Sequence, residues 1–218
     1  EVLPSDFLHA RLVLLRYPPI LQFTPRHPFA WKIDRAFVVA NQAPSEEDGA
    51  DLRYLVSDCV RNARQLFGVD PFWVPQGPMV RRAIEPLLPS TLLSQRDNPG
   101  IVDPSEWSGT RRKRTGTQLR IGRYSRDTEM KFPASVETML KVYPSDGNFV
   151  VDIMGGTKTV PNIFGGDRNV PSNWVLRPYG SMSPQDFLDS IDVFVYFDHP
   201  TTVEAFGRSI LEAMASGC

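Results

Sequence analysis

The sequence predicts an α/β fold, a parallel sheet with helices on both faces, organised in two blocks. Short apolar runs suited to buried strands alternate with stretches of helical spacing, the pattern of strands joined by helical crossovers. Residues 89–117, rich in Pro, Ser, Gly and basic side chains, show no periodicity and divide the blocks as an inter-domain linker. With 218 residues, 41% hydrophobic and 22% charged, the chain has the composition of a globular protein with a sizeable core.

In the first block, residues 1–88, Ala10-Arg-Leu-Val-Leu-Leu15 and Arg35-Ala-Phe-Val-Val-Ala40 read as strands stopped by Pro18-Pro19 and by Asn41 with Pro44. Leu52, Val56, Cys59, Ala63, Leu66 and Phe67 recur at helical spacing, and Gly68 follows as a C-terminal stop. Phe72-Trp73-Val74 is a further short strand, and residues 79–88 a brief helix closed by Pro89.

The second block, 118–218, opens with the strand Leu119-Arg-Ile-Gly122. Pro133 stands as the first residue of a helix whose apolar face is Val136, Met139, Leu140 and Tyr143. Residues 148–154 form the next strand, 157–172 are turn-rich, and Trp174-Val-Leu176 is a third strand. Ser183-Pro-Gln-Asp186 predicts a helix start, with Ser183 as N-cap and Pro184 in the first turn. That helix leads into a strand at 192–197, and a last helix starts near Phe206 with Phe206, Ile210, Leu211 and Met214 as its core face.

A net charge of −1 provides no global field for nucleic acid or an anionic membrane, so no nucleic-acid partner is expected. The run Arg111-Arg112-Lys113-Arg114 is the local exception, read as a solvated linker, with a phosphate-attracting patch as the alternative. Two cysteines build no disulfide framework, and Cys59 is expected as a buried free thiol. Three scattered histidines argue against a structural zinc site, and no apolar stretch approaches a membrane span.

Ligands of open parallel sheets bind outside the carboxyl ends of the strands. Two strand-to-helix loops there carry chemistry and should meet. Residues 122–131 supply Arg123, Arg126 and Lys131, cations suited to a diphosphate, though the same charges fit a solvated loop. Residues 198–205 supply Glu204 and lead to Gly207, where the unpaired amides of a helix start favour an anion. Glu212, further along that helix, could accept hydrogen bonds from ribose hydroxyls; an ordinary amphipathic helix with exposed glutamates fits the spacing equally.

The segment Glu204-Ala-Phe-Gly-Arg-Ser-Ile-Leu-Glu212 closely resembles the E-x7-E signature of family-4-type glycosyltransferases with the GT-B fold. Residues 190–196 resemble that family's preceding strand, and Gly122-Arg123 through Lys131 its arginine–lysine diphosphate clamp. The resemblance covers about 118–218 and is much weaker over 1–117. It implies a partial N-terminal, acceptor-side domain and a C-terminal sugar-nucleotide domain, both Rossmann-like. It further implies retaining transfer from a nucleotide-diphosphate sugar to an unknown acceptor, with no cofactor and no metal ion. Arg123 and Lys131 would hold the diphosphate. Glu204 would act at the donor sugar, Phe206, Gly207, Arg208 and Ser209 would contact the donor, and Glu212 would bind the ribose. The expected location is the cytoplasm, including the inner face of a membrane through peripheral association. The expected chain is a fragment of a longer transferase, inactive alone. Alternatives are a non-enzymatic sugar-nucleotide module or another GT-B enzyme, such as a glycan phosphorylase or a sugar-nucleotide epimerase. A nicotinamide-dependent enzyme fits less well, because no G-x-G-x-x-G follows a strand.

Overall fold

The computed structural model describes residues 11–23, 33–107 and 117–218, and the basic run at 111–114 lies outside them. The chain divides into two compact units. The first comprises Glu1–Gly100 with Val203–Phe206, and the second Ile101–Thr202 with Gly207–Cys218.

In the first unit, β1 (Leu12–Leu15), β2 (Arg35–Ala40) and β3 (Pro71–Pro75) form a parallel sheet in the order β1-β2-β3. Helix α1 (Val56–Phe67) buries Val56, Cys59, Ala63 and Phe67, spaced three and four apart as one helical face requires. Gly68 ends it in the left-handed conformation, φ 70°, donating its N–H to the Arg64 carbonyl. The buried Asn62 on the same face is satisfied by donating its amide to the Leu21 carbonyl, 2.7 Å. Cys59 is a buried free thiol, and burial pushes its pKa up to about 11.

Helix α2 (Pro78–Ile84) stops earlier than its apolar pattern suggests. Pro86 has no N–H, and its ring would meet the Arg82 carbonyl, so the chain tightens into a 3-10 turn over Glu85–Leu87.

The segment expected as a linker is packed where it is described. Leu93 is buried and bridges Trp73, and the Ser94 and Asn98 amides donate to the carbonyls of Trp73 and Pro75 at 2.8 and 2.7 Å. Residues 93–98 therefore run along β3. Trp107, at the end of α3 (Pro104–Trp107), belongs instead to the core of the second unit. Prolines and charges had masked these two buried anchors.

In the second unit, β4 (Leu119–Tyr124), β5 (Phe149–Met154), β6 (Trp174–Arg177) and β7 (Val193–Phe194) are all parallel, in the order β6-β5-β4-β7. Alternate strand residues feed two cores. Ile121, Val151 and Ile153 pack with Phe132, Met139, Tyr143 and Val160, under α4 (Val136–Val142) and α5 (Thr159–Phe164). Tyr124 and Met154 pack with Phe187, Leu188, Ile191 and Ala213, under α6 (Pro184–Asp189) and α7 (Arg208–Ser216). Helices thus cover both faces.

Ser183 caps α6 as its sequence predicts, accepting the Asp186 N–H at 3.1 Å. Helix α4 differs: Ser135 is its N-cap, accepting the Thr138 N–H at 3.2 Å, and Pro133 lies before the helix. A serine oxygen that satisfies an orphan amide outweighs the preset φ of proline. Helix α5 escapes sequence reading because its start is secured from another loop. Asp127 accepts the Lys158 and Thr159 amides at 2.9 and 3.0 Å and the Thr157 hydroxyl at 3.2 Å. Close packing of these loops needs Gly155, at φ 93°, since a Cβ there would fall 1.8 Å from the Ser125 carbonyl oxygen.

Candidate functional site at the strand order reversal

Sequential strands β4, β5 and β6 run outward to one side, and β7 then returns to the other side of β4. The order reverses between β4 and β7, the place where a parallel sheet opens a crevice at its carboxyl edge. The loops leaving these two strands are the two that carry the predicted chemistry, and they meet. Met130 O accepts the Thr202 hydroxyl at 2.7 Å and the His199 amide at 3.3 Å.

Strand β7 is shorter than the predicted 192–197 because the following carbonyls bond side chains instead of a neighbouring strand. Val195 O accepts the Tyr143 hydroxyl at 3.2 Å, and Phe197 O accepts Arg123 Nη1 at 2.8 Å.

Arg123 is the centre of this arrangement. It lies within β4 rather than in the loop, and its side chain is fully buried. A buried guanidinium must find partners. Besides Phe197 O, it reaches Ser125 Oγ at 3.1 Å and the Tyr143 hydroxyl at 3.4 Å. It is also sandwiched by the rings of Phe132 and Tyr196, 4.3 and 4.7 Å from their centroids. Its Nε is buried without a hydrogen-bond partner. Arg123 is thus the brace that locks the β7 loop to β4, while Arg126 is the exposed arginine of the same loop.

Lys131 closes a 3-10 turn, Glu129–Lys131, that aims it at the same place. Its ammonium stands 3.5 Å from the Asp198 carboxylate, and Asp198 in turn lies 4.0 Å from Arg123 Nη2. Two cations and one carboxylate therefore share the crevice, leaving a positive balance from these three. Sequence reading had included Asp198 in the loop but gave it no role.

Glu212 is brought to the same unit by α7. It is buried, and it accepts the Tyr124 hydroxyl on one oxygen and Arg208 Nε, 2.6 Å, on the other. Burial, then the Glu212 carboxylate, raise the Tyr124 pKa and keep the phenol a donor. Arg208 is raised as well, chiefly by its bond to Glu212. Two lone-pair directions of the carboxylate are thus used, and a carboxylate has about four.

Gly207 caps α7 in the left-handed conformation, φ 67°, with no side chain capping the first turn, so the opening amides of Arg208 and Ser209 are left to other acceptors. The expected core face of this helix is corrected. Glu212 and Ala213 are its buried residues, while Ile210 and Met214 are exposed at 37% and 68%. The hydrogen bonds to Tyr124 and Arg208 make burial of an acid tolerable and turn the helix by that amount.

Glu204 and Phe206 belong to the other unit, with Val203–Phe206 packed among its residues. One Glu204 oxygen accepts the Phe206 amide at 3.5 Å. Among the described residues, no group of three or more His, Cys, Asp or Glu could hold a metal ion, and no helix is long and apolar enough to cross a membrane.

No protein-family model matches the chain, and no curated protein matches it. The fold is nonetheless shared with solved structures. A mutant of TarM from S. aureus, solved in complex with fondaparinux, alpha-GlcNAc-glycerol and UDP, matches with a TM-score of 0.59 and 16% identity. The fold is GT-B-like. The match covers 94% of this chain and 39% of TarM, so the chain spans well under half the length of that protein.

Proposed function

We propose that the chain carries the donor side of a glycosyltransferase that moves a sugar from a nucleoside-diphosphate sugar to an acceptor, with retention of anomeric configuration. The observation that carries this reading is the gathering of Lys131 and Arg123 around Asp198, where the loops after β4 and β7 meet at the strand-order reversal. Fixed positive charge beside a sheet edge is what a leaving diphosphate requires. The UDP in the TarM complex supports a uridine nucleotide as the first to test.

In this reading Lys131 and the exposed Arg126 meet the diphosphate oxygens. Arg123, from behind, holds the loops in register and adds its charge. Charge grows on the bridging oxygen as the sugar–phosphate bond breaks, and these cations stabilise it without a metal ion. Arg208 and Ser209 offer amides, and Glu212 accepts from the ribose with its remaining lone pairs. Glu204 acts at the donor sugar, with Phe206 and Gly207 shaping the backbone beside it.

A second reading, a sugar-nucleotide-binding module without turnover, draws on the engagement of both Arg123 and Glu212 with protein partners. Calorimetric titration with UDP, GDP, ADP and their sugars tests the first step. Binding of one nucleotide series, weakened by Lys131→Ala, is the expected result, and absence of binding to every series overturns both readings. Release of the sugar to water or to an acceptor glycan then separates transferase from module.

A further inference from the structure

The residue before the first glutamate of the signature is held by a residue that the signature does not contain. Glu46 follows β2 in the first unit and is 5% exposed. Its carboxylate accepts the Val203 amide at 2.8 Å, a bond spanning 157 residues of chain. The other oxygen takes the guanidinium of Arg53, which also pairs with Asp51 at 3.0 Å. Arg53 is itself fixed, its amide donating to Pro44 O at 2.7 Å.

Two further contacts seat the same four residues. A Cβ on Gly77 would fall 2.4 Å from the Ala205 carbonyl oxygen, and one on Gly100 would fall 1.8 Å from the Phe206 ring. Backbone thus lies directly against Ala205 and Phe206, two and three residues beyond the amide that Glu46 holds. Bare backbone supplies fit but no direction. The Glu46–Val203 bond is charge-assisted and directional, and it fixes the residue immediately before Glu204.

We infer that Glu46 is a positioning residue for Glu204: by holding the Val203 amide it sets where the Glu204 carboxylate meets the donor sugar. The inference rests on the proposed donor reading, in which Glu204 acts on the sugar. Glu46 therefore governs recognition of the sugar and leaves recognition of UDP to other residues.

The test compares Glu46→Ala, Glu46→Gln and the unsubstituted chain by two measurements. Amide hydrogen exchange reads the 203–206 segment, and calorimetry reads UDP, UDP-glucose and UDP-N-acetylglucosamine. The expected result for Glu46→Ala is at least tenfold faster exchange at Val203 and a fivefold or greater loss of the affinity difference between UDP-sugar and UDP. UDP affinity itself stays within twofold. Glu46→Gln, which keeps an acceptor oxygen, recovers most of both effects and guards against misfolding as the cause. Unchanged exchange at Val203 in Glu46→Ala overturns the positioning bond. Faster exchange with UDP and UDP-sugars weakened alike, or not at all, overturns the sugar-directed role. If the unsubstituted chain binds no nucleotide while exchange responds as expected, the donor reading fails and takes this role with it, although the bond itself stands.

Discussion

The Tyr124 hydroxyl donates to the buried Glu212 carboxylate, joining the end of β4 to α7 across 88 residues of chain. This bond and the one from Arg208 explain how a helix can turn an acid rather than a leucine into its core. Glu212→Ala leaves the buried Tyr124 hydroxyl without an acceptor, at a cost of about 1–3 kcal/mol. Urea unfolding should show that loss, and Tyr124→Phe combined with Glu212→Ala should be less than additive.

Lys131 pairs with Asp198 at 3.5 Å beside the proposed diphosphate position, so the carboxylate competes with the ligand for the ammonium. Lys131→Ala should weaken UDP binding about tenfold or more, the worth of a charge-assisted contact. Asp198→Asn should act in the opposite direction, tightening UDP by a few fold because a competing carboxylate charge is removed. Calorimetry at low and high salt checks both, and equal affinities in all three proteins would remove Lys131 from the site.

Asp127 caps α5 from a neighbouring loop. Burial pushes its pKa upward, but the Thr159 and Lys158 amides and the Thr159 and Thr157 hydroxyls outweigh that, leaving it below its ordinary 3.8. A depressed carboxylate stabilises the folded state above the unfolded pKa, and the contribution is lost as pH falls through the folded value. Asp127→Ala should therefore cost about 1 kcal/mol at pH 7. The difference from the unsubstituted chain should shrink below pH 4, as measured by unfolding at the two pH values.

Cys59, with its pKa raised to about 11, is almost entirely protonated at pH 8 and buried as well. Only the thiolate reacts, and on the order of one molecule in a thousand carries it. Alkylation of the native chain at pH 8 should label Cys218, which is half-buried, and spare Cys59 until denaturant is added. Mass spectrometry of the labelled peptides decides it.

Strands were legible because buried runs such as Arg35–Ala40 and Phe149–Met154 are apolar and end at polar or glycine-rich turns. Gly68 and Ser183 marked their helix ends through conformation and capping, both local properties of the chain. The failures share a different cause. The start of α5 depends on Asp127, and the early end of β7 on Arg123 and Tyr143. Each is settled by a partner distant in sequence, which no window of residues contains. The same limit applied to the site. Its cations were visible in the loop, but the depth of Arg123 and the opposition of Asp198 became apparent only once β4 and β7 lay side by side.

The four residues Val203–Phe206 are supported by one compact unit, and the helix that follows by the other. A string that reads as one motif is therefore two inheritances spliced end to end. Transplanting the nine-residue signature into another sheet would carry Glu212 together with Arg208, its partner four residues away, yet strand Glu204 without Glu46, Gly77 and Gly100. For this protein the transferable object is not the motif but the motif with its remote footing, and a search for kin should weigh that footing alongside the glutamates.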